Sequence, residues 1–331
     1  MSVSPQRQIP STTPDRSAKY REIGVTTLRL DSTIPFILYT QIEGEFLVYR
    51  REDLPFTKTQ RDALIENGLE TLYVSPDQVT LYWEYLSAGI QQILNDEGIP
   101  LNERSRILYQ STEQLSQRIA SAPVAGENVQ LAQDVVSGSI QFQKVGKRSL
   151  HALMAEMAEE PSIHSHVLNA CQYGLALCRE LDALRGEDLE ALGMGMMLMD
   201  IGMLQIPEAL QFKDGPLSFD EWNLIKRHPA IGLELIEGLE GIPEIAREVI
   251  FGHHERIDGS GYPQALRGEE LGLPLRIVGV VDTFTTLTGT GTHRAPLTTF
   301  EAFRKMHTEL LPGLDPEVFH AFIKLLGQEG V

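Results

Sequence analysis

Residues 253–263 read HHERIDGSGYP: two adjacent histidines, acids close behind them, a Gly-Ser-Gly run, then tyrosine and proline. Glycine, serine and proline favour turns, so the chain should reverse here with two imidazoles at the entrance. Two readings stand, a metal and phosphate site or a loop that happens to be rich in histidine. The choice depends on whether other segments bring further ligands.

The remaining histidines crowd into the same half. Eight of the nine lie between 151 and 307, and His320 is the ninth. The candidates are His166 in HVLNACQYGLALCRELD, Asp200 in DIGMLQIP, His228 in HPAIG, His253, His254, and Asp282 in RIVGVVDTF. A lone histidine on an apolar helix is ordinarily a satisfied core residue. Asp200 and Asp282 alter that weighting, because each sits in an apolar segment where an unpaired carboxylate is costly. Converging carboxylates and imidazoles can satisfy one another through a metal. Nitrogen and oxygen donors without thiolate suit Fe, Mn or Zn, whereas an all-oxygen set would suit Mg or Ca. Two such ions sharing a carboxylate activate water and clamp a phosphoryl oxygen, the machinery of phosphoester hydrolysis.

Bulk properties narrow the field. With 331 residues, 42% of them hydrophobic, the chain is long enough for two domains. Its 46 acidic and 28 basic side chains leave a net charge of −18, which disfavours DNA, since a nucleic-acid surface needs clustered cations. Cys171 and Cys178 fall on one face of a helical stretch and read as two reduced core thiols. The N-terminal MSVSPQRQIPSTTPDRSAKYR has no apolar secretory core, and no run is long enough to span a membrane. A cytoplasmic protein is the expectation.

Residues 1–21 read as a flexible tail. Residues 22–85 read as a small ββ(β)αβ unit with strands at VTTLRL, FILYTQI, EFLVYRR and LETLYV, and a helix that starts at a Thr57/Gln60 capping box and stops at Asn67-Gly68. Residues 86–150 have helical periodicity and read as a connector that could support a homodimer. Residues 151–331 are again helix-rich, with a second capping box at Ser218/Glu221. The expected fold class is α+β overall: a small N-terminal α/β unit ahead of an all-α domain.

From about 160 to 325 the chain resembles the HD-GYP domain, a helical module of the HD superfamily associated with cyclic di-GMP hydrolysis. The likeness rests on DIGMLQIP, HPAIG, HHERIDGSGYP and RIVGVVDTF, in the family's order. A weaker likeness to an accessory region found ahead of such domains lies in FLVYRREDLPFTKTQRDALIENGLETLYV. The resemblance implies that Asp200 bridges two metals, that His228, His253 and His254 hold one, and that His166, rather than His164, and Asp282 hold the other. It implies Gly261, Tyr262, Pro263 and Arg294 as substrate-contacting positions.

The chain departs from the pattern in several places. The family's His-Asp pair is Met199-Asp200, and a thioether is a poor ligand for a hard ion. The lysine beside the phosphate is Met203. A glutamate that supports a third metal in some members is Ser162, and an expected arginine is Gly291. The implied cofactor is therefore one or two divalent ions, Fe or Mn first and Zn next. The implied role is cyclic di-GMP signalling with weak or no phosphodiesterase activity, through binding of metal and nucleotide or docking of a partner such as a GGDEF-type protein. An active metal-dependent phosphodiesterase is the alternative.

Overall fold

The computed structural model describes residues 20–30, 32–42, 44–121, 126–159, 165–211, 213, 215–289 and 295–327. The chain divides into two compact units, residues 1–85 and 86–331.

The first unit is built on antiparallel strands. β1 (Arg21–Gly24), β3 (Leu38–Ile42), β4 (Glu45–Arg50) and β6 (Thr71–Val74) form a sheet in the order β1-β6-β3-β4, and β2 (Ser32–Ile34) pairs with β5 (Leu54–Phe56). Helix α1 (Lys58–Glu66) begins at Thr57, where both halves of the capping box with Gln60 are present. One expectation needs correction: VTTLRL is not a strand. Val25–Thr27 form a 3-10 turn, and the strand is the preceding segment. Val25 and Leu28 drop into the core with Phe36 and Phe56, so a tight turn rather than an alternating pleat buries these apolar residues. Phe36 lies edge-on to Tyr82 and Tyr85, 5.5 Å from each.

The second unit is helical. Past α2 (Val79–Ser87) come α3 (Ile90–Asn95), α4 (Leu101–Ser121), α5 (Gly126–Lys144), α6 (Lys147–Glu159), α7 (Ser165–Glu180) and α8 (Glu187–Leu198). A 3-10 turn, Ile201–Gln205, leads to α9 (Glu208–Gln211), α10 (Phe219–Ile225), α11 (His228–Ile236) and α12 (Glu244–Gly252). The chain continues through α13 (Leu273–Thr288), α14 (Thr299–Lys305) and α15 (Pro316–Gly327). α7 packs against α8 and α13, and α8 against α12. Cys171 and Cys178 are both buried and free on α7, and burial pushes each thiol up to about 12. They are protonated, inert core residues. Ser218 and Glu221 form the expected capping box at the start of α10. No helix among the described residues is long and apolar enough to cross a membrane.

Candidate metal centre

Five elements contribute to the site. Asp200 sits where α8 gives way to the 3-10 turn, His228 opens α11, and His253 and His254 follow the last residue of α12. His166 lies on α7 and Asp282 on α13. The α8 exit and the α11 start touch almost backbone to backbone: a Cβ on Gly202 would fall 1.9 Å from the His228 carbonyl oxygen and 2.7 Å from the Gly232 nitrogen. Only glycine permits that approach, which brings Asp200 to His228.

The ligand atoms of Asp200, His228, His253 and His254 all lie within 4.8 Å of one another. Asp200 uses its two oxygens differently. Oδ1 is 3.4 Å from His228 Nε2 and 3.6 Å from His253 Nε2, whereas Oδ2 is 3.7 Å from His166 Nε2. His166 Nε2 also lies 3.2 Å from Asp282 Oδ1, and His254 Nδ1 is 3.5 Å from Asp282 Oδ2. All six candidates therefore gather in one place. Within it, Asp282 stands between His166 and His254.

The donor set fits a divalent cation. His228 Nδ1 is 2.8 Å from the Ile225 carbonyl, and His253 Nδ1 is 3.2 and 3.1 Å from those of Val249 and Ile250. A carbonyl can only accept, so each Nδ1 carries a proton and each ring turns its Nε2 toward the cluster. This is the backbone support that metal-binding histidines ordinarily have. Burial lowers the His228 pKa despite the neighbouring Asp200, and burial followed by the charge of His253 lowers that of His254 to about 4. Burial opposes charge on His166 too, but its hydrogen bond to Asp282 and the charge of Asp200 outweigh it, and its pKa is raised. Burial also works against ionised Asp200 and Asp282, yet their histidine partners hold both carboxyls below the ordinary range.

Tyr262 and its loop border the cluster. The Tyr262 N–H donates to the His254 carbonyl at 3.3 Å, and the two rings lie 4.7 Å apart with planes tilted by 33°. A Cβ on Gly261 would fall 2.5 Å from the His254 carbonyl oxygen, so the loop rests directly on the histidine turn. Burial, then the Asp282 and Asp200 charges, raise the phenol pKa. Pro263 follows at the exposed surface. Arg294, His164, Ser162, Gly291 and His293 lie outside the described residues.

Met199 is fully buried in the main apolar cluster. Met203 is partly buried, with its carbonyl held by the Gln211 amide at 2.8 Å.

Two residues of the opening stretch escaped the sequence reading. Glu255 is 1% exposed, and its carboxylate accepts from the backbone N–H of Gln264 at 2.5 Å and Leu266 at 3.0 Å. Arg256 reaches Asp282 Oδ2 at 3.4 Å and donates to the His253 and Glu255 carbonyls at 3.1 and 2.8 Å. Their signal was an acid and a base between a histidine pair and a turn. That pattern says charged surface unless the loop folds back over it.

The comparisons accord with this architecture. The HD domain family model matches residues 152–318. The cyclic di-GMP phosphodiesterase PA4108 of Pseudomonas aeruginosa is 31% identical over 179 residues, 54% of this chain and 43% of that protein. The cyclic di-GMP phosphodiesterase response regulator RpfG of Xanthomonas campestris pv. campestris is 29% identical over 245 residues, 72% of this chain and 62% of that protein. The 3'3'-cGAMP-specific phosphodiesterase 3 of Vibrio cholerae is 31% identical over 169 residues, 51% of this chain and 36% of that protein. The chain thus spans less than two thirds of each of these relatives. The solved structure of Bd1817, an HDG"Y"P protein from Bdellovibrio bacteriovorus, aligns over 93% of this chain and 100% of that one with a TM-score of 0.66 and 22% identity, and so shares the fold. With the family model covering half of its length and the motifs converging in one cluster, the chain belongs to the HD domain family, as an HD-GYP protein.

Proposed function

We propose that the chain is a cyclic dinucleotide signalling protein that binds a divalent metal and a nucleotide at the Asp200 cluster, with weak or no hydrolysis. The observation that carries this reading is the pair of imidazoles, His228 and His253, whose Nε2 atoms face each other 3.0 Å apart beside Asp200 Oδ1. In this reading His228, His253, His254 and Asp200 hold one ion, with His166 and Asp282 beside a weaker second position. Iron or manganese suits the mixed nitrogen and oxygen donors best, with zinc next. A bound divalent ion supplies Lewis acidity toward a phosphoryl oxygen. The protein's own residues do the rest: the backbone carbonyls of Ile225, Val249 and Ile250 fix the imidazole tautomers, and Tyr262 walls the site beside His254.

Turnover is weak in this reading because Met199 and Met203 supply neither a ligand nor a charge. Loss of one transition-state charge donor costs about 10²–10³ in rate. Cyclic di-GMP and 3'3'-cGAMP are the nucleotides to test, since the relatives' names divide between them. A GGDEF-type partner, or a second copy docking through the helices of residues 86–150, would carry the signal onward.

The alternative, an active phosphodiesterase, is favoured by the way Asp200 splits its oxygens between two histidine groups, as a bridging carboxylate would. The deciding experiment is anaerobic reconstitution with Fe(II) or Mn(II), with metal content and linear products both measured against His254→Ala. Bound metal and bound nucleotide without product support the proposed reading. Product formed only by the unmutated protein establishes the alternative, and absence of both metal and nucleotide binding removes both.

A further inference from the structure

We propose that Trp222 and Lys226 form, with Tyr262, a base-and-phosphate subsite at the rim of the Asp200 cluster. The indole would stack a purine base, and the ammonium would receive a phosphate of the same nucleotide. This inference rests on the nucleotide-binding reading above and names the residues that would hold the part of the ligand remote from the metal.

Three rings and a cation run outward from the metal ligands. The His254 ring lies 4.7 Å from that of Tyr262, which meets Trp222 edge-on at 6.4 Å and 78°. Lys226 Nζ sits 5.3 Å from the Tyr262 centroid and 5.6 Å from that of Trp222. The cluster is not sealed: the side chains of Asp200, His166 and His254 keep 29%, 25% and 21% exposure. Trp222 is 42% exposed. A large indole left in water forgoes burial, and every nucleobase offers it a π face to cover.

Charge points the same way. A chain of net charge −18 needs a local cation to receive a phosphodiester. Arg256 is committed to Asp282, Thr283 and two backbone carbonyls. Lys226 makes no ion pair among the described residues, and its contacts are the two aromatic faces. An ammonium over a ring keeps its outer protons for an anion. The Ser218/Glu221 capping box and the Lys213–Glu221 pair secure the helix that carries Trp222.

The test uses the full chain loaded with metal. The chain has two tryptophans, so a Trp83→Phe background leaves Trp222 as the sole reporter. Cyclic di-GMP should quench Trp222 emission saturably, and calorimetry should show Kd raised about 5- to 100-fold in Trp222→Ala. Lys226→Ala should raise Kd and flatten its salt dependence, and Lys226→Arg should restore both. Metal content should stay unchanged in all three. Kd within twofold of the unmutated protein in both alanine variants overturns the subsite and leaves the nucleotide-binding reading standing. An unmutated, metal-loaded protein that binds neither cyclic di-GMP nor 3'3'-cGAMP overturns both.

Discussion

The Nε2 atoms of His228 and His253 face each other at 3.0 Å, and the Nδ1 atom of each ring has already engaged a backbone carbonyl. Two lone pairs aimed at one another repel unless a proton or a metal cation lies between them. Burial lowers the His228 pKa and so disfavours a proton on the His228 Nε2. Either His228→Ala or His253→Ala should therefore abolish metal retention. In the unmutated protein, an ion at one hundred times its Kd should add about 2.7 kcal/mol of stability, read as a metal-dependent rise in Tm that EDTA reverses. Equal metal content in the variants would rule out the pair as ligands.

The contact between Gly202 and the His228 carbonyl allows no side chain. An added methyl would meet backbone at 1.9 Å, and backbone cannot swing aside as a side chain can. Gly202→Ala should cost about 1–3 kcal/mol in urea unfolding and also weaken metal binding, because the first turn of α11 must shift away from Asp200. Unchanged metal affinity would show that this approach does not set the site.

Glu255 ties the Gly-Ser-Gly-Tyr-Pro loop to the histidine turn through the Gln264 and Leu266 amides. Hydrogen bonds to a buried charge are the strong class, so Glu255→Gln should lose about 1.5–3 kcal/mol of stability. Nuclear magnetic resonance of the Tyr262 ring should show it leaving His254. A ring that stays in place would assign the loop's position to packing alone.

At the start of α10, the Lys213 ammonium and then the Ser218 amide hold the Glu221 carboxyl at about 2, below its ordinary 4.5. A depressed carboxyl contributes its full stability above pH 4.5 and loses it as pH falls toward about 2. Glu221→Gln should accordingly be less stable than the unmutated protein at neutral pH, and the gap between their urea midpoints should close across that acid window. A gap independent of pH would mean that the ion pair with Lys213 contributes nothing.

Much of the architecture was legible because its causes are local. Thr57 with Gln60 and Ser218 with Glu221 are three residues apart, and both pairs form the capping boxes their spacing implies. The helical second unit follows from apolar residues at three- and four-residue spacing. VTTLRL misled because β-branched residues favour a strand only if a neighbour is there to pair with. Here the chain turns first, and Val25 is buried by the turn.

The sequence by itself determined which residues could serve chemistry, because carboxylates and imidazoles in apolar segments demand partners wherever they fold. It determined equally that Met199 and Met203 bring neither ligand nor charge. Only the tertiary structure decided the geometry: which Asp200 oxygen faces which histidine, that Asp282 lies between His166 and His254 with Arg256 behind it, and that Glu255 is buried. The physical reason is that each relationship joins residues on different elements. Distance across a packed interface is set by close approaches such as Gly202 against His228, which spacing along the chain does not encode.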